Sequence, residues 1–103
     1  MFVAVYAWRI KPGREEDFRQ GWARVTEAIR ARWGTFGSRL HRTLDGEFVG
    51  YAGWPDEATW RAAIAVGWDI GEPEARARMG DAIESSRGEP VFLMNVVDDL
   101  IRP

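Results

Sequence analysis

His41 is the only histidine in the chain, and it stands two residues from Arg39 in a half-polar segment. Imidazole is the side chain whose ordinary pKa falls nearest neutrality, so His41 is a candidate general base. Arg39, on the same strand face, could stabilise the anion left behind. A solvated imidazole and a surface guanidinium fit the same spacing. Tyr6 and Tyr51 lie in apolar strand segments, where buried hydroxyls must find partners: a substrate oxygen, the backbone or a buried water. Asn95 is the lone polar residue of a late apolar run, and its amide could hold a carbonyl or pair across a subunit interface. These types would together suit removal of a proton from a bound ligand, with donors aimed at the developing anion.

Six tryptophans in 103 residues are several times ordinary usage. Trp22 and Trp33 share one helical stripe and read as core. Trp8, Trp54, Trp60 and Trp68 come from separate elements around an expected helix–sheet space, where flat side chains could line a pocket for a small aromatic molecule. Filling of the core is the competing reading. There is no cysteine, which excludes disulfides and thiolate chemistry. With one histidine and no spaced ligand motif, no metal centre is expected. Neither a phosphate-cradling glycine loop nor a serine elbow is present.

The elements that must carry these residues are legible in turn. Phe2 to Ile10 is apolar at even positions and also at 3, 5 and 7, a strand buried on both faces. Lys11-Pro12-Gly13-Arg14 punctuates it. From Arg14 to Trp33, Phe18, Trp22, Val25, Ile29 and Trp33 form one stripe of an amphipathic helix. Glu15, Glu16 and Asp17 open it, Arg30 and Arg32 close it, and Gly34 stops it. Gly37 to Leu44 reads as a half-polar edge strand, joined through Asp45-Gly46 to a partner from Glu47 to Trp54. Gly50 and Gly53 thin out that partner, so backbone or ligand can approach closely there. Asp56 is the expected N-cap of a helix with Trp60, Ala63 and Ile64 inward. After a break at Gly67 to Gly71, Pro73 opens a further helical stretch with Ala75, Met79, Ala82 and Ile83 inward. Ser85 to Pro90 reads as loop, and Val91 to Val97 as a last strand apolar on both faces.

The order predicts one α+β domain over residues 1–103, a ferredoxin-like βαββαβ fold with a four-stranded antiparallel sheet and helices on one face. The uncovered apolar face predicts a homodimer whose sheets close face to face. Apolar content of 46%, charged content of 29% and a net charge of −2 argue for a folded chain without a basic footprint. Nucleic acid and membrane are therefore not expected as partners, and a cytoplasmic location is the default.

Three stretches carry a family likeness: Ile10-Lys11-Pro12-Gly13-Arg14-Glu15-Glu16-Asp17-Phe18, the hairpin around Asp45-Gly46, and Tyr51-Ala52-Gly53-Trp54-Pro55-Asp56-Glu57-Ala58. The chain resembles the antibiotic biosynthesis monooxygenase-like family of dimeric α+β barrel proteins, and element order matches over nearly its whole length. The resemblance implies a cofactor-independent monooxygenase of small aromatic, polyketide- or quinol-like substrates, in which the substrate is its own electron donor. It would cast His41, Tyr6, Tyr51 and Arg39 as catalytic and Trp8, Trp54, Trp60, Trp68 and Asn95 as substrate-binding, with no cofactor. Many relatives carry a histidine where this chain has Ala63. Haem-degrading relatives use a first-strand asparagine where Tyr6 aligns, and a later histidine that this chain lacks. The alternatives are a non-catalytic ligand-binding or structural dimer of the same fold, and a haem-binding relative.

Overall fold

The computed structural model describes residues 1–87 and 89–102. Gly88, part of the expected loop from Ser85 to Pro90, lies outside the described residues. β1 (Phe2–Ile10) is the spine of the sheet, and its alternation sets the architecture. Phe2, Ala4, Tyr6, Trp8 and Ile10 point to the helices, where they join two buried clusters, one around Trp54 and Trp60 and one around Phe18 and Phe48. Val3, Val5 and Ala7 point to the opposite face and are also buried.

α1 (Glu15–Trp33) forms where the sequence predicts it. Its acidic first turn and basic last turn complement the macrodipole, Arg14 Nε bonds Asp17 at 2.7 Å, and Gly34 ends it in the left-handed region at φ 70°. β2 (Gly37–Arg42) and β3 (Phe48–Trp54) make the expected hairpin. α2 (Glu57–Ala65) is capped as expected, with Thr59 N–H donating to Asp56 Oδ1 at 2.8 Å. Trp60 and Ala63 turn inward, but Ile64 is exposed. α3 (Pro73–Ala82) begins on Pro73.

The last strand differs from expectation. Ile83 does not continue α3; it opens β4 (Ile83–Ser86), and β5 (Phe92–Asn95) follows. The sheet order is β2-β3-β1-β4, all antiparallel, with β5 also on β1. β4 pairs with the C-terminal end of β1 and β5 with its N-terminal half, so the two form one interrupted edge. Pro90, which has no N–H for the ladder, lies in the break, while Arg87 N–H to Ala7 O and Val91 N–H to Val5 O hold its two sides. The expected four-stranded ferredoxin-like order is kept, with its edge strand split into two short strands.

Candidate active site

A cavity of about 220 Å³ lies between α1 and the sheet. Register explains which residues reach it. Tyr6 pairs with Gly50, and Gly50 with Leu40, so these three share the helix-facing side with Trp8, Ala52 and Trp54. Gly50 removes a side chain from the middle of the row. α1 supplies Trp22, Val25, Thr26 and Ile29 as the opposite wall, and Met79 of α3 and Trp68 of the α2–α3 loop close its flanks.

Two donors lie on residues of this apolar lining. Trp54 is only 2% exposed, and its indole N–H has no hydrogen-bond partner. An orphaned buried donor costs about 1–3 kcal/mol. Tyr6 Oη accepts the Trp60 indole N–H at 3.0 Å, leaving the phenolic proton for another acceptor. Burial pushes the Tyr6 phenol above its ordinary pKa, only partly opposed by the Trp60 bond, so it remains a neutral donor at physiological pH. Trp8 stacks on Tyr6 at 6.1 Å and tilts against Phe18 at 5.2 Å, which fixes its ring.

The Trp68 wall sits on a strained loop. Trp68, Asp69 and Glu72 all have positive φ without being glycine, a conformation costing about 1 kcal/mol or more per residue. Compensating contacts hold it: Trp33 Nε1 donates to Trp68 O at 2.6 Å, Arg32 pairs with Asp69 at 3.5 Å, and Arg24 with Glu72 at 3.1 Å. Trp33, expected as filler, thus fixes a cavity wall.

The structure brings some of the expected site residues together and separates others. Tyr6, Trp8, Trp54 and Trp68 line the cavity; Trp60 stands behind Tyr6 and orients its hydroxyl. Tyr51, Arg39 and His41 alternate to the other face, with Arg39 opposite Tyr51 and His41 opposite Val49. Arg39 and His41 border an open, charged groove at the sheet edge with Glu15, Glu16, Arg19 and Arg42. Asn95 lies in β5 beside a groove formed with Val3, Tyr51 and the C-terminal residues 96–101. Trp22, Thr26, Thr35 and Ser38 were missed as lining residues. For Trp22 the helical stripe looks the same whether the wall it forms is filled or hollow.

Elsewhere on the far face, Arg87 makes a two-pronged pair with Glu47, at 2.9 and 2.7 Å. That contact holds the Glu47 carboxyl below its ordinary pKa. Among the described residues no cluster of three or more His, Asp or Glu could hold a metal ion, and no helix is long and apolar enough to cross a membrane.

Comparison with solved structures places the architecture among known folds. SnoaB, a cofactor-independent oxygenase from Streptomyces nogalater, is similar at a TM-score of 0.70 and 20% identity, covering 98% of this chain and 97% of that one. The ActVA-Orf6 monooxygenase of Streptomyces coelicolor, solved with nanaomycin D, is similar at 0.68 and 24% identity, over 99% and 92%. Rv0793 from Mycobacterium tuberculosis is similar at 0.62 and 17% identity, over 98% and 100%. At such identities the likeness establishes the fold. No curated protein matches. The family model for antibiotic biosynthesis monooxygenase matches residues 1–64, which takes in β1, α1, the β2–β3 hairpin and most of α2. On that match, more than half its length, the chain belongs to the antibiotic biosynthesis monooxygenase family.

Proposed function

We propose that the chain is a cofactor-independent monooxygenase of small hydroxylated aromatics, with the substrate held in the cavity between α1 and the sheet. The observation that carries this reading is an aromatic-walled space of about 220 Å³ lined by Tyr6, whose oxygen accepts from Trp60 and whose phenolic proton is left to offer. A flat apolar ligand bearing an oxygen answers both features. The oxygenase descriptions of SnoaB and ActVA-Orf6 support the same chemistry.

In this chemistry the substrate supplies all the electrons that reduce oxygen. A phenol loses its O–H proton, and the phenolate places electron density on the ring carbon para to its oxygen. That carbon bonds O2 to give a hydroperoxide, and loss of water leaves a second carbonyl. 1-Naphthol and O2 thus give 1,4-naphthoquinone and water. Tyr6 would donate to the phenolate oxygen as charge develops there. No carboxylate, imidazole or amine lines the cavity among the described residues, so the phenol proton passes to solvent. His41 and Arg39, across the sheet, are left out of this chemistry, as is Tyr51.

The lack of a lining base also favours a second reading, a ligand-binding protein of the same fold without turnover. For haem, no histidine lines the cavity, and its volume falls below the ~300–1,000 Å³ of larger ligand sites. A homodimer belongs to the proposal: β5 exposes Phe92, Leu93 and Met94, and the residues beyond it expose Val97, Leu100 and Ile101. A location in the cytoplasm, the default for a folded domain of this composition, belongs to it as well.

Metal-stripped protein supplied with 1-naphthol should take up oxygen above a matched blank, one O2 for each quinone formed. Tyr6→Phe should slow uptake about a hundredfold, the scale of losing one oxyanion donor, and His41→Ala should leave it unchanged. Saturable binding without uptake would replace the enzyme by the ligand-binding reading.

A further inference from the structure

The floor of the cavity is a glycine with little room to spare. A Cβ at Gly50 would stand 3.0 and 3.1 Å from Trp8 Cη2 and Cζ3, and 3.7 Å from Trp22 Nε1. Tyr6 stacks on one side of Trp8 and fully buried Phe18 blocks another, so the direction left for it to yield is into the cavity, at the cavity's expense. The hydrogen at position 50 is therefore what lets two indoles stand around open space. Gly21 sets the opposite limit: a Cβ there would meet Ala75 O and Met79 N at 2.8 Å, so α3 packs backbone-close on α1 and brings Met79 to the cavity.

The space, partly open to solvent, is about 220 Å³. An apolar protein cavity of about 150 Å³ takes up benzene, whereas sites for drug-sized ligands begin near ~300 Å³. On that scale one ring leaves slack in 220 Å³, two fused rings fill it, and a third would extend beyond its lining. The described lining residues carry no charged side chain, so an ionised carboxylate or ammonium would be buried without a partner.

We infer that the cavity selects neutral phenols of one or two fused rings, and that Gly50 is the residue that sets the upper limit. This rests on the reading of the cavity as the substrate site. It narrows the substrate class and excludes three-ring anthrones.

Anaerobic equilibrium dialysis with phenol, 1-naphthol and anthrone tests it. The wild-type protein should bind 1-naphthol most tightly, phenol more weakly, and anthrone at least about tenfold more weakly than 1-naphthol. Gly50→Ala should weaken 1-naphthol about tenfold or more, as overpacking does, while phenol changes by less than about threefold. Met79→Ala, which empties the opposite flank, should admit anthrone and keeps the test alive should Gly50→Ala not fold. Anthrone bound as tightly as 1-naphthol by the wild type, an unchanged ladder in both variants, or no binding by any of the three would overturn the inference. Because dialysis without oxygen reads binding alone, a size-limited ladder with no oxygen uptake in air removes the oxygenase reading and leaves this one. Tight anthrone binding with uptake does the reverse.

Discussion

The Tyr6 oxygen accepts the Trp60 indole N–H, and that single bond decides which way the phenolic proton is offered. Trp60→Phe keeps an aromatic ring against Phe2, 5.7 Å away, but frees the Tyr6 hydroxyl to rotate. Oxygen-uptake kinetics should then show kcat/KM lowered about tenfold, with a stability loss of about 1–3 kcal/mol in urea unfolding. Unchanged kinetics would show that Tyr6 needs no orienting partner. Asp45 provides a residue-scale test of the hairpin. Bonds from Thr43 and Arg9 hold its carboxyl at about 2, below its ordinary value of 3.8. A folded-state pKa below the unfolded one stabilises above the unfolded value and fades as pH falls through the folded one. Asp45→Asn should therefore melt below the wild type at pH 7, with the gap closing between about pH 4 and pH 2. A gap that persists at low pH would assign it to something other than charge. Alternation within β1 was enough to put Tyr6 and Trp8 on one face together, but with both faces apolar it did not say which face meets the helices. The opposite placement of Tyr51, Arg39 and His41 depends on the β1–β3 register, in which Tyr6 meets Gly50. No local pattern states that register. The orphaned Trp54 N–H is likewise a property of the assembled core.

At the scale of elements, the contact of α1 with α3 turns on Gly21, and Gly80 on α3 makes the matching control. Gly21→Ala should destabilise by about 1–3 kcal/mol, because its new methyl meets backbone that cannot yield. Gly80 has open space around it, so Gly80→Ala should stabilise by up to about 1 kcal/mol through helix propensity. Equal effects of the two in chemical denaturation would contradict the close helix approach. The stripe of α1, its charged ends, the Gly34 stop, the Asp56 cap and the Pro73 start are all local chemistry, and all were readable. The split of the last strand was not. Ile83 suits the inner face of α3 as well as a strand facing the Phe18 cluster, and only pairing with Ile10 decides between them.

For the whole molecule, the both-sided burial of β1 was read as an exposed face awaiting a partner, but Val3, Val5 and Ala7 are already buried within one chain. Exposure falls instead on β5 and the C-terminal residues, with Val97 at 87% and Leu100 at 80%. Light scattering at micromolar concentration should give a dimer, and Leu100→Lys with Ile101→Lys should shift it toward monomer; a monodisperse wild-type monomer would contradict the dimer. The central claim is that the cavity holds a phenol which reduces oxygen without help from a protein base. Its most direct test is the pH profile of kcat/KM for oxygen uptake with 1-naphthol, using metal-stripped protein and matched blanks. Uptake should keep rising with pH until the substrate's own phenol has ionised. A profile that levels off near pH 6.5, where an ordinary histidine titrates, or no uptake above the blank at any pH, would contradict that claim.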